Sequence, residues 1–182
     1  KGSETTIFVW DGENILRDLN TDDTQQALYI GPPDDLRYLI GMQRGSESYL
    51  AGLDMQGSVN RLVNATDTVS DSYLTSAFGE EIASIGTTIN PFQFEGLWGY
   101  HREGSNRILV RNRDLDTATG SFLRLDPVGG AGGSRWNWYG YVGNNPGVWV
   151  DPSGLASNKP ASHQVGPFKP NGPYVTPDMY NP

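Results

Sequence analysis

Two Asp-Pro pairs carry the residues of this chain best suited to chemistry. Asp126-Pro127 lies 25 residues before Asp151-Pro152-Ser153-Gly154-Leu155, with Asn144-Asn145-Pro146 between them. Each Asp-Pro is a good turn start, with Asp at the first position, Pro at the second and Gly at the fourth. The same residues have a chemical reading. Two carboxylates in contact cannot both ionise, so one holds a proton while the other stays basic. Such a pair can activate water against a peptide carbonyl without a metal or a Ser or Cys nucleophile. Other catalytic groups are scarce. The chain has no Cys, which excludes disulfides, thiolate zinc sites and a Cys nucleophile. Its two imidazoles, His101 and His163, are far apart and fit no ligand pattern, and no Gly-x-Ser-x-Gly elbow accompanies them. His101 reads as a satisfied surface residue. Asp114-Leu115-Asp116 ahead of Gly120 evokes a calcium loop but lacks the third ligand and the distal Glu, so it reads as a turn. Asn64-Ala65-Thr66 matches a glycosylation acceptor, a frequent chance match. Gly129-Gly130-Ala131-Gly132-Gly133 is followed by no Gly-Lys-Ser/Thr, and reads as a flexible or tightly turning connection.

Composition narrows the partners. Among 182 residues, 13 Lys and Arg face 21 Asp and Glu, for a formal charge of −8. That balance, without a basic cluster, argues against a nucleic-acid partner, because phosphate affinity rests on Lys and Arg. No apolar run approaches the ~18 residues a membrane span requires, so no transmembrane segment is expected. Nothing at the start resembles a signal peptide. The chain begins at Lys1, which suggests a processed or engineered product or a piece of something longer.

The elements that must position these carboxylates are short strands punctuated by turns. Ile7-Phe8-Val9-Trp10 leads through Asp11-Gly12 to Ile15-Leu16-Arg17, a strong hairpin signal. Further turns are expected near Gly57, Gly79 and Gly120. No long 3.6-residue period intervenes, although Asp22 to Leu28 could make a helical turn. The body therefore reads as all-β, mostly antiparallel hairpins. Any helix is expected to be short and to lie near Trp138 to Val142. Trp136, Trp138, Tyr139, Tyr141 and Trp149 follow the glycines and read as core. Residues 156–182 hold six of the twelve prolines and read as an extended tail.

The stretch from Leu53 to Leu155 resembles the C-terminal core domain associated with rearrangement-hotspot (Rhs) and tyrosine–aspartate (YD) repeats. The resemblance rests on an ordered series of motifs: Gly57-Ser58-Val59 with Thr66-Asp67, Tyr73 with Phe78-Gly79-Glu80, Asn90-Pro91-Phe92 with Gly96, Val110-Arg111-Asn112-Arg113, Gly120-x-Phe122 and Asp126-Pro127. It closes on Tyr141-Val142-Gly143-Asn144-Asn145-Pro146 and Asp151-Pro152-Ser153-Gly154-Leu155. Phe8-Val9-Trp10-Asp11-Gly12-Glu13-Asn14 resembles one ordinary repeat. The chain departs from the family at Ser121, where Arg is usual, and at Leu125, where Pro or Arg is common. The resemblance implies YD-repeat hairpins over residues 1–48, the Rhs repeat-associated core over 49–155, and a Pro-rich tail over 156–182. In such a protein the hairpins form part of a β-sheet spiral that closes as a shell, and the core is irregular and rich in Gly and aromatics.

The resemblance also implies an aspartyl-type autoprotease. Asp126 and Asp151 match the paired carboxylates, Arg113 matches the associated arginine, and the cut falls between Leu155 and Ala156. No cofactor is implied. The expected partners are the chain's own C-terminal segment and, through β-edges, parent repeats or neighbouring copies, in a secreted or surface protein of a bacterium. Only 27 residues follow Leu155, few for a folded cargo domain. A second function therefore stays open: a non-catalytic structural or adhesive β-protein that assembles through strand edges and its Pro-rich tail.

Overall fold

The computed structural model describes residues 5–31, 39–128 and 137–157. The expectations for Gly129–Gly133, Trp136, His163 and nearly all of the Pro-rich tail fall outside these residues. Twelve strands form among the described residues: β1 (Ile7–Asp11), β2 (Asn14–Leu19), β3 (Gln25–Ile30), β4 (Gly41–Arg44), β5 (Glu47–Leu53), β6 (Val59–Asn64), β7 (Val69–Thr75), β8 (Glu81–Ile85), β9 (His101–Arg102), β10 (Arg107–Val110), β11 (Arg113–Asp116) and β12 (Ser121–Phe122). The first eight make one antiparallel meander in chain order, and the last four a smaller sheet in the order β12-β11-β10-β9. The protein is all-β, as its sequence suggests. β5 carries the large sheet across residues 48 and 49 without a break.

All four expected turns form. Asp11 pairs with Asn14 across the Gly12-Glu13 turn, and Gly57, Gly79 and Gly120 lie between β5 and β6, β7 and β8, and β11 and β12. Gly57, at φ 97°, is also a point of close approach: a Cβ there would stand 2.8 Å from the Leu97 side chain. Asp22–Leu28 is not helical. Asp22 instead holds a turn by accepting from the Thr24 backbone and hydroxyl, and Gln25–Ile30 continues as β3, with Ala27 and Tyr29 buried on one face. Among the described residues a single-turn 3-10 helix occurs at Gly96–Trp98, and a 3-10-like turn at Val142–Asn144 runs through positive φ at all three residues. The second overlaps the end of the expected window.

Cross-strand register explains which side of the large sheet is buried. Tyr29 pairs with Met42 and Met42 with Tyr49, so these side chains share a face. That face packs with Ala27, Leu62, Tyr73 and Phe92 in one core. On the alternate register, Ile30 and Leu50, which flank Gly41, turn their side chains to solvent. A second core gathers Phe94, Tyr100, Ile108, Val110, Leu115, Phe122, Tyr141, Val142 and Val150. The segment between the sheets joins both cores: Val59 donates to the Gln93 carbonyl, Phe92 enters the first core, and Phe94 the second.

Three local expectations are corrected. Among the aromatics after the glycines, Tyr141 is core, but Trp138, Tyr139 and Trp149 are exposed; Trp138 and Tyr139 follow the rim of the small sheet through the Phe122–Tyr139 backbone bond. Asp114 lies within β11 rather than in a turn, buried and paired with Arg107 and Arg124. Asp116 alone starts the turn, accepting from the Ala118 backbone and the Thr119 hydroxyl. His101 is buried, with its ring edge-on to Phe8 and Phe92 at 5.1 and 5.3 Å. Its Nδ1 has no hydrogen-bond partner among the described residues, and burial pushes its pKa down to about 4.

Candidate functional site

β11 opens with Arg113, whose side chain is only 3% exposed and lies over the Phe122 ring at 3.7 Å. Its guanidinium meets both expected carboxylates. Nη2 donates to Asp151 Oδ2 at 3.0 Å, and Nη1 lies 3.4 Å from Asp126 Oδ2, an ion-pair distance without hydrogen-bond alignment. The carboxylates are themselves 2% and 4% exposed. Two buried carboxylates thus share one buried cation, and removing that partner in so poorly solvated a place is costly.

The turn reading of the Asp-Pro pairs holds alongside this contact. Asp126 Oδ1 accepts from the Val128 backbone at 2.9 Å, while the Asp126 N–H donates to the Trp138 carbonyl. Asp151 Oδ1 accepts from the Leu155 and Ala156 N–H groups, each at 3.0 Å, and from the Ser153 hydroxyl at 3.3 Å. The chain after Asp151 thus curls around its carboxylate. Gly154 makes the curl possible at φ 71°; a Cβ there would run into the Val110 carbonyl oxygen.

The backbone of Asp151 is fixed from below by a buried phenol. Tyr100 Oη donates to the Asp151 carbonyl at 2.8 Å and accepts from its N–H at 3.0 Å, and Tyr141 Oη donates to Tyr100 Oη at 3.2 Å. Burial raises the pKa of both tyrosines, so they stay neutral donors. Glu95 is buried nearby in a left-handed conformation (φ 49°), and its Oε2 has no hydrogen-bond partner among the described residues. Burial, reinforced by Asp54, pushes its pKa up to about 9, so Glu95 is a neutral acid at pH 7.

The β10–β11 turn adds a grip that motif reading did not assign. Arg111 donates to the Pro152 carbonyl, Asn112 to the Ser153 carbonyl at 3.0 Å, and Arg113 Nε to the Gly154 carbonyl. Three successive side chains thus hold three successive carbonyls, each 41 residues later in the chain. These contacts read backbone, so they fix position without selecting side chains at Pro152 or Ser153. A two-residue Arg-Asn link between strands carries no sign of what it grips.

The structure therefore brings Arg113, Asp126, Asp151, Leu155 and Ala156 together. His101 stands apart in the first core's aromatic contacts, and Asn64 serves a turn by accepting from Thr66 and Thr68. Chemically, the Ala156 amide nitrogen faces a carboxylate that shares an arginine with a second carboxylate. That arrangement can pass protons to and from a peptide bond.

No protein-family model matches the chain, and no curated protein matches it. Solved structures do match in fold. The crystal structure of TcdB2-TccC3-TEV is 15% identical with a TM-score of 0.60, covering 76% of this chain and 7% of that one. TcdB2-TccC3 without its hypervariable C-terminal region gives 15% identity and a TM-score of 0.58 over the same shares. The Photorhabdus luminescens Tc holotoxin pore with a mutation in TccC3 gives 14% and 0.63, covering 85% of this chain and 8% of that one. This chain spans under a tenth of the solved chains it matches. At such identity the likeness is one of fold, an Rhs-like all-β fold. No helix of the described residues is long and apolar enough to cross a membrane.

Proposed function

We propose that this chain is the self-cleaving core of a larger secreted or surface β-shell protein, cutting its own backbone between Leu155 and Ala156 to free the segment beyond. The observation that carries this reading is the placement of the Leu155–Ala156 amide. Its N–H meets Asp151 Oδ1, while Asp151 Oδ2 shares Arg113 with Asp126. A water against the pair gives a proton to the dyad as its oxygen bonds to the Leu155 carbonyl carbon. The dyad then returns a proton to the Ala156 nitrogen as the C–N bond breaks, leaving a Leu155 carboxyl and an Ala156 amine. Asp151 Oδ1, which accepts from the Ala156 N–H, holds that amide against the pair, and Asp126 completes it. Arg113 meets both carboxylates and orients them. The fold likeness to TcdB2-TccC3, one structure of which lacks a hypervariable C-terminal region, supports a body that carries a separable C-terminal segment. Here residues 1–48 are repeat hairpins, 49–155 the core, and 156–182 the freed segment.

Intact mass of freshly produced protein tests the reading. A break after Leu155 in the wild type is expected, with the bond intact in Asp126→Asn and Asp151→Asn. Asn keeps the size and an acceptor oxygen but cannot exchange the proton. A wild-type chain that stays full length for days overturns active cleavage.

One observation favours assembly as the function if cleavage is absent. β8 lies at the edge of the large sheet, and all five of its residues are exposed, Ile82 and Ile85 included. Unpaired edges of that kind recruit other strands. Sedimentation of a full-length, uncut chain as large assemblies would support that second reading.

A further inference from the structure

We propose that Arg111 makes presentation of the Leu155–Ala156 bond depend on the seating of the β1–β2 hairpin, so that the site is complete only when that repeat is docked. This rests on the cleavage reading above and adds a control to it. The Arg111 guanidinium is 6% exposed and bridges three parts of the molecule. Nη1 donates to the Pro152 carbonyl, at the start of the loop that curls around Asp151, and to the Trp98 carbonyl at 2.8 Å. Nη2 donates to Asn14 Oδ1 at 2.9 Å, and Nε lies 3.6 Å from Glu13 Oε2. Glu13 lies in the β1–β2 turn and Asn14 opens β2, 97 residues before Arg111.

The position of Arg111 in the chain makes this more than a local bond. It sits at φ 44°, the left-handed conformation that the two-residue β10–β11 loop requires of its first residue. It is also the first of the three side chains that grip the Pro152, Ser153 and Gly154 carbonyls in register. Loss of the Asn14 acceptor removes one of the bonds that hold this buried guanidinium in place. The guanidinium then shifts, which loosens its hold on Pro152. The loop would then drift relative to Asp126 and Asp151, and a misplacement of about 1 Å can cost on the order of 100-fold in rate. A hairpin turn with no part in the chemistry thereby acts on the bond through one arginine. Arg111 is a positioning residue in this scheme.

The test uses the whole chain and changes Asn14. Asn14→Ala should slow cleavage about tenfold, the scale of one hydrogen bond to a charged donor, with an unchanged pH profile. Asn14→Asp, which keeps an acceptor, should cleave near the wild-type rate. In an Arg111→Met background, Asn14→Ala should have no further effect, whereas a merely structural role would slow that chain again. A readout that needs no cleavage accompanies these. In Asp126→Asn chains, amide hydrogen exchange at Leu155 and Ala156 should quicken on Asn14→Ala and recover with Asn14→Asp. Unchanged exchange at those amides, or wild-type cleavage by Asn14→Ala, overturns the coupling. A wild-type chain that never cuts but shows the exchange response overturns the protease reading and leaves the coupling standing.

Discussion

Replacing Arg113 with Met should be among the most damaging single changes in this protein. Met keeps much of the stem that packs on Phe122 but removes the charge that Asp126 and Asp151 share. Both carboxylates are nearly fully buried, so neither can turn to solvent for compensation. Removing one partner from a buried ion pair costs about 3–5 kcal/mol. The lost Nε bond to the Gly154 carbonyl falls within the same range rather than adding to it, since coupled neighbours are not additive. A domain's whole stability is about 5–15 kcal/mol, so the change should be plain in urea-induced unfolding followed by tryptophan fluorescence, on chains checked by mass. The decisive comparison adds Asp126→Asn and Asp151→Asn to Arg113→Met. Asn still accepts from the Val128, Leu155 and Ala156 amides but carries no charge. That triple variant should regain about half of the loss or more, because the uncompensated charge is the main cost. If Arg113→Met lies within about 1 kcal/mol of wild type, or the triple variant is no more stable than the single one, the electrostatic account of the site is wrong.

Two further outcomes follow from groups on either side of the site. With His101 held near pKa 4 in the fold against about 6.5 unfolded, the unfolded chain takes up a proton that the folded one refuses as pH falls between these values. That should remove about 3 kcal/mol of stability, and His101→Phe should flatten this acid limb in melting temperature against pH. Gly154→Ala must force a Cβ toward the Val110 carbonyl from a left-handed backbone, costing at least 1–2 kcal/mol locally. Its cleavage by mass should fall at least tenfold, while its urea midpoint shifts less than that of Arg113→Met.

What the sequence determined by itself is local. The turns at Gly12, Gly57, Gly79 and Gly120 follow from residues that tolerate or favour turn geometry, and the short β-branched and aromatic runs between them suit paired strands. The Asp-Pro pairs announced themselves in the same way, since an Asp that accepts from backbone two to five residues on is a property of the segment itself. Tertiary structure alone decided which side chains lose water and which distant groups they meet. His101 reads as a surface residue until Phe8, from the first strand, and Phe92 close over it. Trp138 and Trp149 read as core, yet stay exposed because the second core is already filled by Tyr100, Phe122 and Tyr141. Asp114 looked like a turn residue until Arg107 and Arg124 converged on it. The grip of Arg111, Asn112 and Arg113 on three carbonyls 41 residues later has no local signature at all. Turn and strand preferences act between neighbours in the chain, whereas burial and long-range pairing exist only once both sheets have packed.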